Sequence, residues 1–538
     1  MRRAQASPAL ILAMVCLPVF IGALDLTIIS AVLPAVIADL NVAIQTGLDD
    51  AAWAVTGYLL AYAISMTFMG RVSDLWGRRR VFLICLAVFF LGSWLVAASA
   101  GAPAQATEWI VRLVAGGRPD RSLMALYALI FGRVVQAFGA GAMVPVTMAL
   151  VADLYPPERR VLPLGVVGAV DTAGWVLGHL YGGIVVQYFP WPFLFWINLP
   201  IVALMFGLTA WMLRDLLPAA AEGSVDWLGA LLISLALVGL NLGLGSGNTG
   251  LAGVESSGPA LPGLAFGLAC FAGFIWVERR VEHPLLRLDI FADSSLAAAS
   301  ALNLLVGFCL MVGLVSVPLF INLAGAPDSG QGALVSGYLL SAFTVPMALA
   351  AIPGGWLAGR LGYRLTTILG VLAALGGFEL MTQWEPEFAR QAVDLVRGLA
   401  AVGSPSTESV QGAVRMAAGL LLAGVGLGLT IAPIGATVIN GVAESDRGMA
   451  SALVIILRLI GMSLSVSTLT AFGLRRSTEL SRMLLEGVRL DELQRIAEAA
   501  LQVATQVTVE MALIAAAVCA AALIPALMLR TGRSPMNS

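Results

Sequence analysis

Residues 70–80 read Gly70-Arg71-Val72-Ser73-Asp74-Leu75-Trp76-Gly77-Arg78-Arg79-Arg80. One acid, four arginines and two glycines separate two long apolar runs. Such a cluster reads as a short turn between helices that otherwise never leave an apolar solvent. Two glycines suit a tight turn, because they accept backbone angles closed to other residues. Asp74 is placed to pair with an arginine or with the positive end of a neighbouring helix.

The flanking runs set the class of protein. The 538-residue chain is 59% hydrophobic and 12% charged, with a mean hydropathy of +0.92. That composition excludes an ordinary soluble domain and calls for helices in a bilayer, each needing about 20 apolar residues. Such windows fall near 9–33, 51–70, 81–100, 122–147, 162–187, 193–213, 226–247, 260–277, 295–323, 332–358, 363–383, 413–440, 447–473 and 506–530. The expected class is therefore an all-α integral membrane protein of about 14 transmembrane helices. The N-terminal stretch imitates a signal peptide, but it runs on through Asp25 to Leu33 and reads as an uncleaved first span. All 30 basic residues are arginine. They fill alternate loops at 71–80, 159–160, 279–287 and 360–364, which places both termini in the cytoplasm. The loops at 101–121, 384–412 and 474–505 also carry arginines, but they are long or balanced by acids.

The opening stretch has a second copy. In Gly355-Trp356-Leu357-Ala358-Gly359-Arg360-Leu361-Gly362-Tyr363-Arg364, Gly355, Gly362 and Arg364 match Gly70, Gly77 and Arg79. Pro145 with Glu158-Arg159 matches Pro433 with Asp446-Arg447 at nearly the same offset. Two matches at one spacing indicate duplication: a six-helix bundle over 1–215, two linker spans and a cytoplasmic loop over 216–290, and a second six-helix bundle over 291–538 with outer extensions at 384–412 and 474–505. Parallel repeats of this kind build one large class of secondary transporters. The outer loop at 475–505 has apolar residues at helical spacing and reads as an amphipathic helix, one that shields the outer mouth, lies on the membrane surface or docks a partner, with a capping role favoured.

Several motifs resemble those of the major facilitator superfamily. Gly70–Arg80 resembles its loop 2–3 motif. LIFGRVVQAFGAGA at 129–142 resembles its fourth-span motif, with Arg133 in place. GVVGAVDTAGWVLGHLYGG at 165–183 resembles the fifth-span motif of its antiporters, and contributes Gly174, Gly178, His179, Gly182 and Gly183. ALDLTIISAVLP at 23–34, FWINLP at 195–200 and EHPLLRLDIF at 282–291 are similar to the fourteen-helix drug:proton antiporter family, and the overall wording, with a lengthened stretch between spans 11 and 12, is similar to its triacylglyceride-exporting members. Two positions depart from the pattern: His179 stands where a proline is usual, and Ala137 where a glycine is. The resemblance implies a proton-coupled antiporter exporting hydrophobic or amphiphilic compounds, drugs or lipids, by alternating access. It implies a bacterial inner membrane, a proton gradient in place of any cofactor, and a monomer. A lipid exporter working with an outer-side partner protein is an alternative, and a non-transporting receptor or scaffold is another. No nucleic-acid partner is implied.

The candidate site residues follow. An acid inside a spanning helix is costly and marks an ion or substrate path by default. Asp25 in the first span and Asp171 in the fifth are the proton-coupling candidates, with Arg133 as the group that tunes them. Gly70, Asp74, Gly77, Arg78 and Arg79 are the gating candidates; Gly359 replaces the acid in the second copy, so the latch is lopsided. Asp171, Gly174, Gly178 and Gly182 fall near one helix face, where glycines permit close helix approach. Gln136, Arg458 and Glu379 are further polar residues in or near apolar runs. Enzyme chemistry is not expected, because no paired acids or nucleophile–base set is convincing. No metal site is expected either: the five cysteines lie far apart and there are two histidines.

Overall fold

The structure is a computed structural model, and it describes residues 7–42, 44–115, 120–156, 161–214, 225–244, 261–281, 284–285, 291–323, 329–400, 406–441, 447–486 and 493–530. His283 and the Glu158-Arg159 and Asp446 positions of the repeat lie outside the described residues. Among those described, regular structure is helical throughout, as seventeen helices.

The first six spans are α1 (Pro8–Asp39), α2 (Ile44–Trp76), α3 (Arg78–Ala97), α5 (Arg121–Leu154), α6 (Val161–Tyr188) and the broken pair α7 (Phe193–Trp196) and α8 (Asn198–Met212). The linker hairpin is α9 (Trp227–Leu244) and α10 (Leu261–Glu278). The last six spans are α11 (Ser294–Leu323), α12 (Ser329–Leu361), α13 (Tyr363–Met381), α15 (Thr407–Asn440), α16 (Arg447–Leu485) and α17 (Leu493–Met528). Thirteen of these spans qualify by length and hydropathy, counting α7 and α8 as one. The fourteenth is α6, whose 28 residues run along α1 and α12. α1 runs as one helix from Pro8 to Asp39, with Pro18 and Pro34 inside it. With an even number of crossings, both described ends lie on one side, called below the termini side.

The duplication has a backbone signature. Gly77 and Gly362 are the two glycines with positive φ among the described residues, at 90° and 88°. Each stands immediately before the third helix of its half, α3 or α13. The matched prolines, Pro145 and Pro433, lie inside the fourth span of each half. α2 packs on α5 and α3 on α5 in the first half; α12 packs on α15 and α13 on α15 in the second.

Large apolar side chains face outward as well as inward. Leu261, Ile352 and Ile524 are each more than 60% exposed. In water that would be a liability; against acyl chains it is the expected solvent-facing surface of a spanning helix.

Two segments expected as loops hold helices. The 101–121 segment holds α4 (Ala102–Ala115), and 384–412 holds α14 (Pro386–Ala400) before α15 begins at Thr407. The two occupy the same place in each half, directly after the third span. α14 buries Phe388, Ala389, Ala392 and Val393. The amphipathic helix expected over 475–505 is not one element: its described parts are continuations of α16 and α17 beyond the span. At about 1.5 Å per residue, the 39 residues of α16 reach roughly 58 Å, about twice a hydrocarbon core. Spanning and amphipathic segments join without a proline, and Gly473 at the junction is accommodated inside α16, so the helix carries on. Arg476 fastens the two extensions together, with Nε 2.8 Å and Nη2 2.9 Å from the carboxylate of Glu510, while Nη1 lies 2.8 Å from Glu479.

The linker hairpin lies across the two halves. Trp227 of α9 meets Phe68 of α2 edge-on at 5.7 Å between ring centroids. Leu60 of α2 packs with Ile233, Leu237 and Phe274 of the hairpin, beside Ile460 of α16. Asn241 Oδ1 accepts hydrogen bonds from Ser463 (3.0 Å) and Ser467 (2.8 Å) of α16.

Candidate functional site

The stretch from Gly70 to Arg80 forms a compact ion cluster. Arg78 contacts Asp74, donates to Ser73 Oγ at 2.6 Å, and donates to Asp153 Oδ2 at the end of α5 at 3.1 Å. Arg79 Nη2 donates to the carbonyl of Ala210 in α8 at 2.8 Å. At Gly70 a Cβ would stand 3.4 Å from Cβ of Pro145 in α5, an ordinary van der Waals contact, so the helices there do not demand a glycine. Among the described residues, these contacts stay within the first bundle and join α2, α3, α5 and α8. The second copy turns at Gly362 as well, and Arg360 there lies over the Trp356 ring at 4.0 Å.

Asp25 is fully buried among α1, α5 and α8. Its Oδ2 accepts from Gln136 Nε2 at 2.6 Å and from Asn198 Nδ2 at 2.8 Å. Its Oδ1 is buried with no partner. Arg133, also fully buried, does not touch the carboxylate through any described hydrogen bond. Its Nη2 donates to the Asp25 carbonyl at 2.9 Å and its Nη1 to Gln136 Oε1 at 2.8 Å. A buried guanidinium needs such acceptors, and its planar fork reaches two at once. Its face lies 3.9 Å from the centroid of Tyr58, a desolvated cation–π contact.

The aromatic face leads to the second acid. Tyr58 donates to Gly22 of α1 at 2.9 Å and stacks on Tyr62 at 6.0 Å. Tyr62 donates to Asp171 Oδ1 at 3.4 Å. The two candidate acids are thus joined by a track through Gln136, Arg133, Tyr58 and Tyr62. Asp171 also lies within electrostatic reach of Arg458 on α16 of the other bundle. Arg458 Nε donates to Asn303 Oδ1 of α11 at 3.3 Å.

The glycine stripe divides the work on α6. Gly174, Gly178 and Gly182 lie against α1, with Cβ positions that would strike Phe20, Thr27 and Val32. Gly183 faces the other bundle instead, where a Cβ would stand 2.6 Å from the carbonyl of Ala333 in α12. Gly337 of α12 closes on the carbonyl of His179, and Thr344 donates to the carbonyl of Val176 at 3.4 Å. α6 and α12 therefore meet from mid-span to the side away from the termini. Toward the termini side, nothing among the described residues lies within 4 Å of the Cβ position of Gly168.

His179 is fully buried, and neither ring nitrogen has a hydrogen-bond partner. Glu379 is exposed at the end of α13, away from every group above. Among the described residues no group of three or more metal-ligating side chains is present. Sequence reasoning missed Asn198, Tyr58 and Tyr62. Asn198 lies within the FWINLP stretch, where a polar amide beside a helix break was the available signal. The two tyrosines gave none, because tyrosine is common in any span.

Two repeated six-helix bundles, a linker hairpin and buried charges at mid-membrane define a multi-pass membrane transporter. The model of the Major Facilitator Superfamily matches residues 15–466, and the chain belongs to that family. It is a transporter and not an enzyme. It is 33% identical over 473 residues to a triacylglyceride transporter of Mycolicibacterium hassiacum, covering 86% of this chain and 78% of the relative. It is 31% identical over 467 residues to a triacylglyceride transporter of Mycobacterium tuberculosis, covering 86% and 82%. Among solved structures, the fold is similar to an inward-facing, unoccupied bacterial homologue of the human lysosomal transporter Spinster, at a TM-score of 0.55 with 16% identity and 98% and 99% coverage. It is also similar to a D-xylose–proton symporter, at 0.52 with 14% identity and 94% and 96% coverage.

Proposed function

We propose that the protein is a proton-coupled exporter of acyl-chain lipids of the acylglycerol type, working by alternating access, with both termini in the cytoplasm of a bacterial inner membrane. The observation that carries the coupling is Asp25: a carboxylate fully buried in a spanning helix, held on one oxygen by two amides and left without a partner on the other. Such a group exchanges a proton at far lower cost than a bare charge could cross. The Tyr58–Tyr62 track supports a second station at Asp171, which faces the opposing bundle and its Arg458. The passenger class rests on the relatives named triacylglyceride transporters. A family resemblance to drug antiporters alone would leave the passenger undefined.

In this reading the far side is the outer side, and a closed outer seam between α6 and α12 belongs to the state open to the cytoplasm. Proton binding and passenger release then bias one two-state equilibrium, as linkage requires. The test uses proteoliposomes loaded with a pH dye and a fluorescent triacylglycerol. An imposed proton gradient should drive lipid movement, and Asp25→Asn should abolish it while the protein remains in the membrane. Lipid movement that ignores the gradient in both proteins would end the coupling argument.

A further inference from the structure

Trp175 and His179 stand one turn apart on α6, so their side chains leave the same face of the helix. Both are buried, at 7% and 0% exposure. Among the described residues, Trp175 Nε1, His179 Nδ1 and His179 Nε2 all lack a hydrogen-bond partner. Across the seam, Ser336 of α12, next to the Gly337 that closes on His179, is fully buried with its Oγ unpartnered too.

Unpartnered polar atoms are rare in protein interiors and each asks for a cause. Here they gather at the junction of α1, α6 and α12. The backbone around them is well served. Thr27 of α1 donates to the Trp175 carbonyl at 2.9 Å, and Thr344 of α12 donates to the Val176 carbonyl. Only the side-chain donors are left over. When α6 and α12 part, those donors are uncovered and can find an acceptor, so the closed seam holds a cost that an incoming acceptor removes.

We infer that Trp175 and His179 form a two-donor subsite for an ester carbonyl of the passenger, uncovered when α6 and α12 separate. The inference rests on the acylglycerol reading above. Indole Nε1–H is a donor only, and a neutral imidazole supplies one N–H. Two donors on one face match the two lone pairs of a carbonyl oxygen. The apolar neighbours on α1 and α6, Leu24, Ile28 and Val176, suit the chains that flank an ester and would repel a hydrated ion. An ether, which lacks the carbonyl acceptor, would leave both donors unpaired, and this is what makes such a subsite selective.

The test compares a tri-ester glycerolipid with its tri-ether analogue, which keeps the chains and lacks the carbonyls. Binding of both probes to the purified protein in nanodiscs is measured for wild type, Trp175→Phe, His179→Leu and His179→Gln. Wild type is expected to favour the ester by about tenfold, or about 1.4 kcal/mol. Trp175→Phe and His179→Leu should bring the ratio of ester to ether binding toward one. His179→Gln keeps an N–H donor and should retain most of the preference, which separates loss of a donor from loss of packing. Equal ester and ether binding by wild type, or an unchanged ratio in both donor-deleted variants, overturns the subsite while leaving the lipid reading intact. Absence of binding of either lipid by wild type overturns both.

Discussion

Arg133 reaches Asp25 through its backbone: Nη2 donates to the Asp25 carbonyl at 2.9 Å, while the carboxylate is held by Gln136 and Asn198. The distinction matters for how a buried acid works. A carboxylate clasped directly by guanidinium is locked in its charged form by the partner. A carboxylate held by neutral amides on one oxygen keeps the other free to take a proton. The arginine instead fixes the helix that carries the acid and orients Gln136, whose Oε1 it also engages. In the proposed mechanism, scaffold and proton site are thus separate jobs on neighbouring residues.

That separation predicts different failures. Arg133→Leu leaves the Asp25 carbonyl and Gln136 Oε1 buried without their donor, and should lower stability by about 3 kcal/mol. Arg133→Lys restores one bond at most, because an ammonium lacks the planar fork. Asn198→Leu removes one of two donors to the carboxylate and should disturb coupling more than folding. Thermal unfolding in nanodiscs, read beside proton-driven flux, ranks the three variants. Equal stability of Arg133→Leu and wild type would remove the scaffold role.

Gly77 and Gly362 adopt φ values of 90° and 88° with extended ψ, a region closed to side chains with a Cβ. Gly77→Ala and Gly362→Ala should each cost about 1–3 kcal/mol. Gly77→Ala should in addition disturb transport more, because Arg78 and its contacts to Asp74 and Asp153 follow directly. The second copy has glycine at 359 in place of the acid, so its turn carries less of an ion cluster. Matching unfolding curves for Gly77→Ala and wild type would show that the turn tolerates a side chain.

Much of this fold was legible because bilayer and backbone impose strong rules. Twenty apolar residues mark a span whatever their order, and the paired glycine turns exposed the duplication. Gly77 and Gly362 were found by sequence and share one backbone geometry. The helical extension of α16 and α17 was not legible as such. Its amphipathic pattern looks the same whether it continues a span or stands alone, and only the absence of a proline near Arg475 decides. Asn198 was equally hidden, since a single amide among apolar residues does not announce which acid it meets 173 positions away.

Asn241 of the linker hairpin accepts from both Ser463 and Ser467 of α16. In lipid such interhelical bonds are weaker than intuition suggests, about 0.6 kcal/mol on average by double-mutant cycles. Each serine can turn its hydroxyl back to its own helix when the amide is lost. A cycle of Asn241→Ala with Ser467→Ala should therefore return a coupling of about 0.6 kcal/mol, rising when Ser463 is also replaced. A coupling of zero would mean that apolar contacts alone hold the hairpin beside α16.

The seam between α6 and α12 offers the most direct test of alternating access. Gly183 approaches the Ala333 carbonyl, and Gly337 the His179 carbonyl, so closely that added Cβ atoms would stand 2.6 and 2.9 Å away. Real Cβ atoms do not sit that near a backbone oxygen, and backbone on both sides cannot yield as a flexible side chain would. Gly183→Leu or Gly337→Leu should therefore hold the seam apart and shift the population toward the state open on the far side. Gly168→Leu on the same helix, where nothing lies within 4 Å, is the matched control and should leave the seam closed. The readout is the labelling rate of a cysteine introduced at Leu180 by a membrane-impermeant maleimide added from that side, in a background lacking the five native thiols. The two seam variants should label several-fold faster than wild type and transport more slowly, since a propped seam removes one of the two states. Labelling at the wild-type rate with full transport would show that α6 and α12 do not form the closing contact.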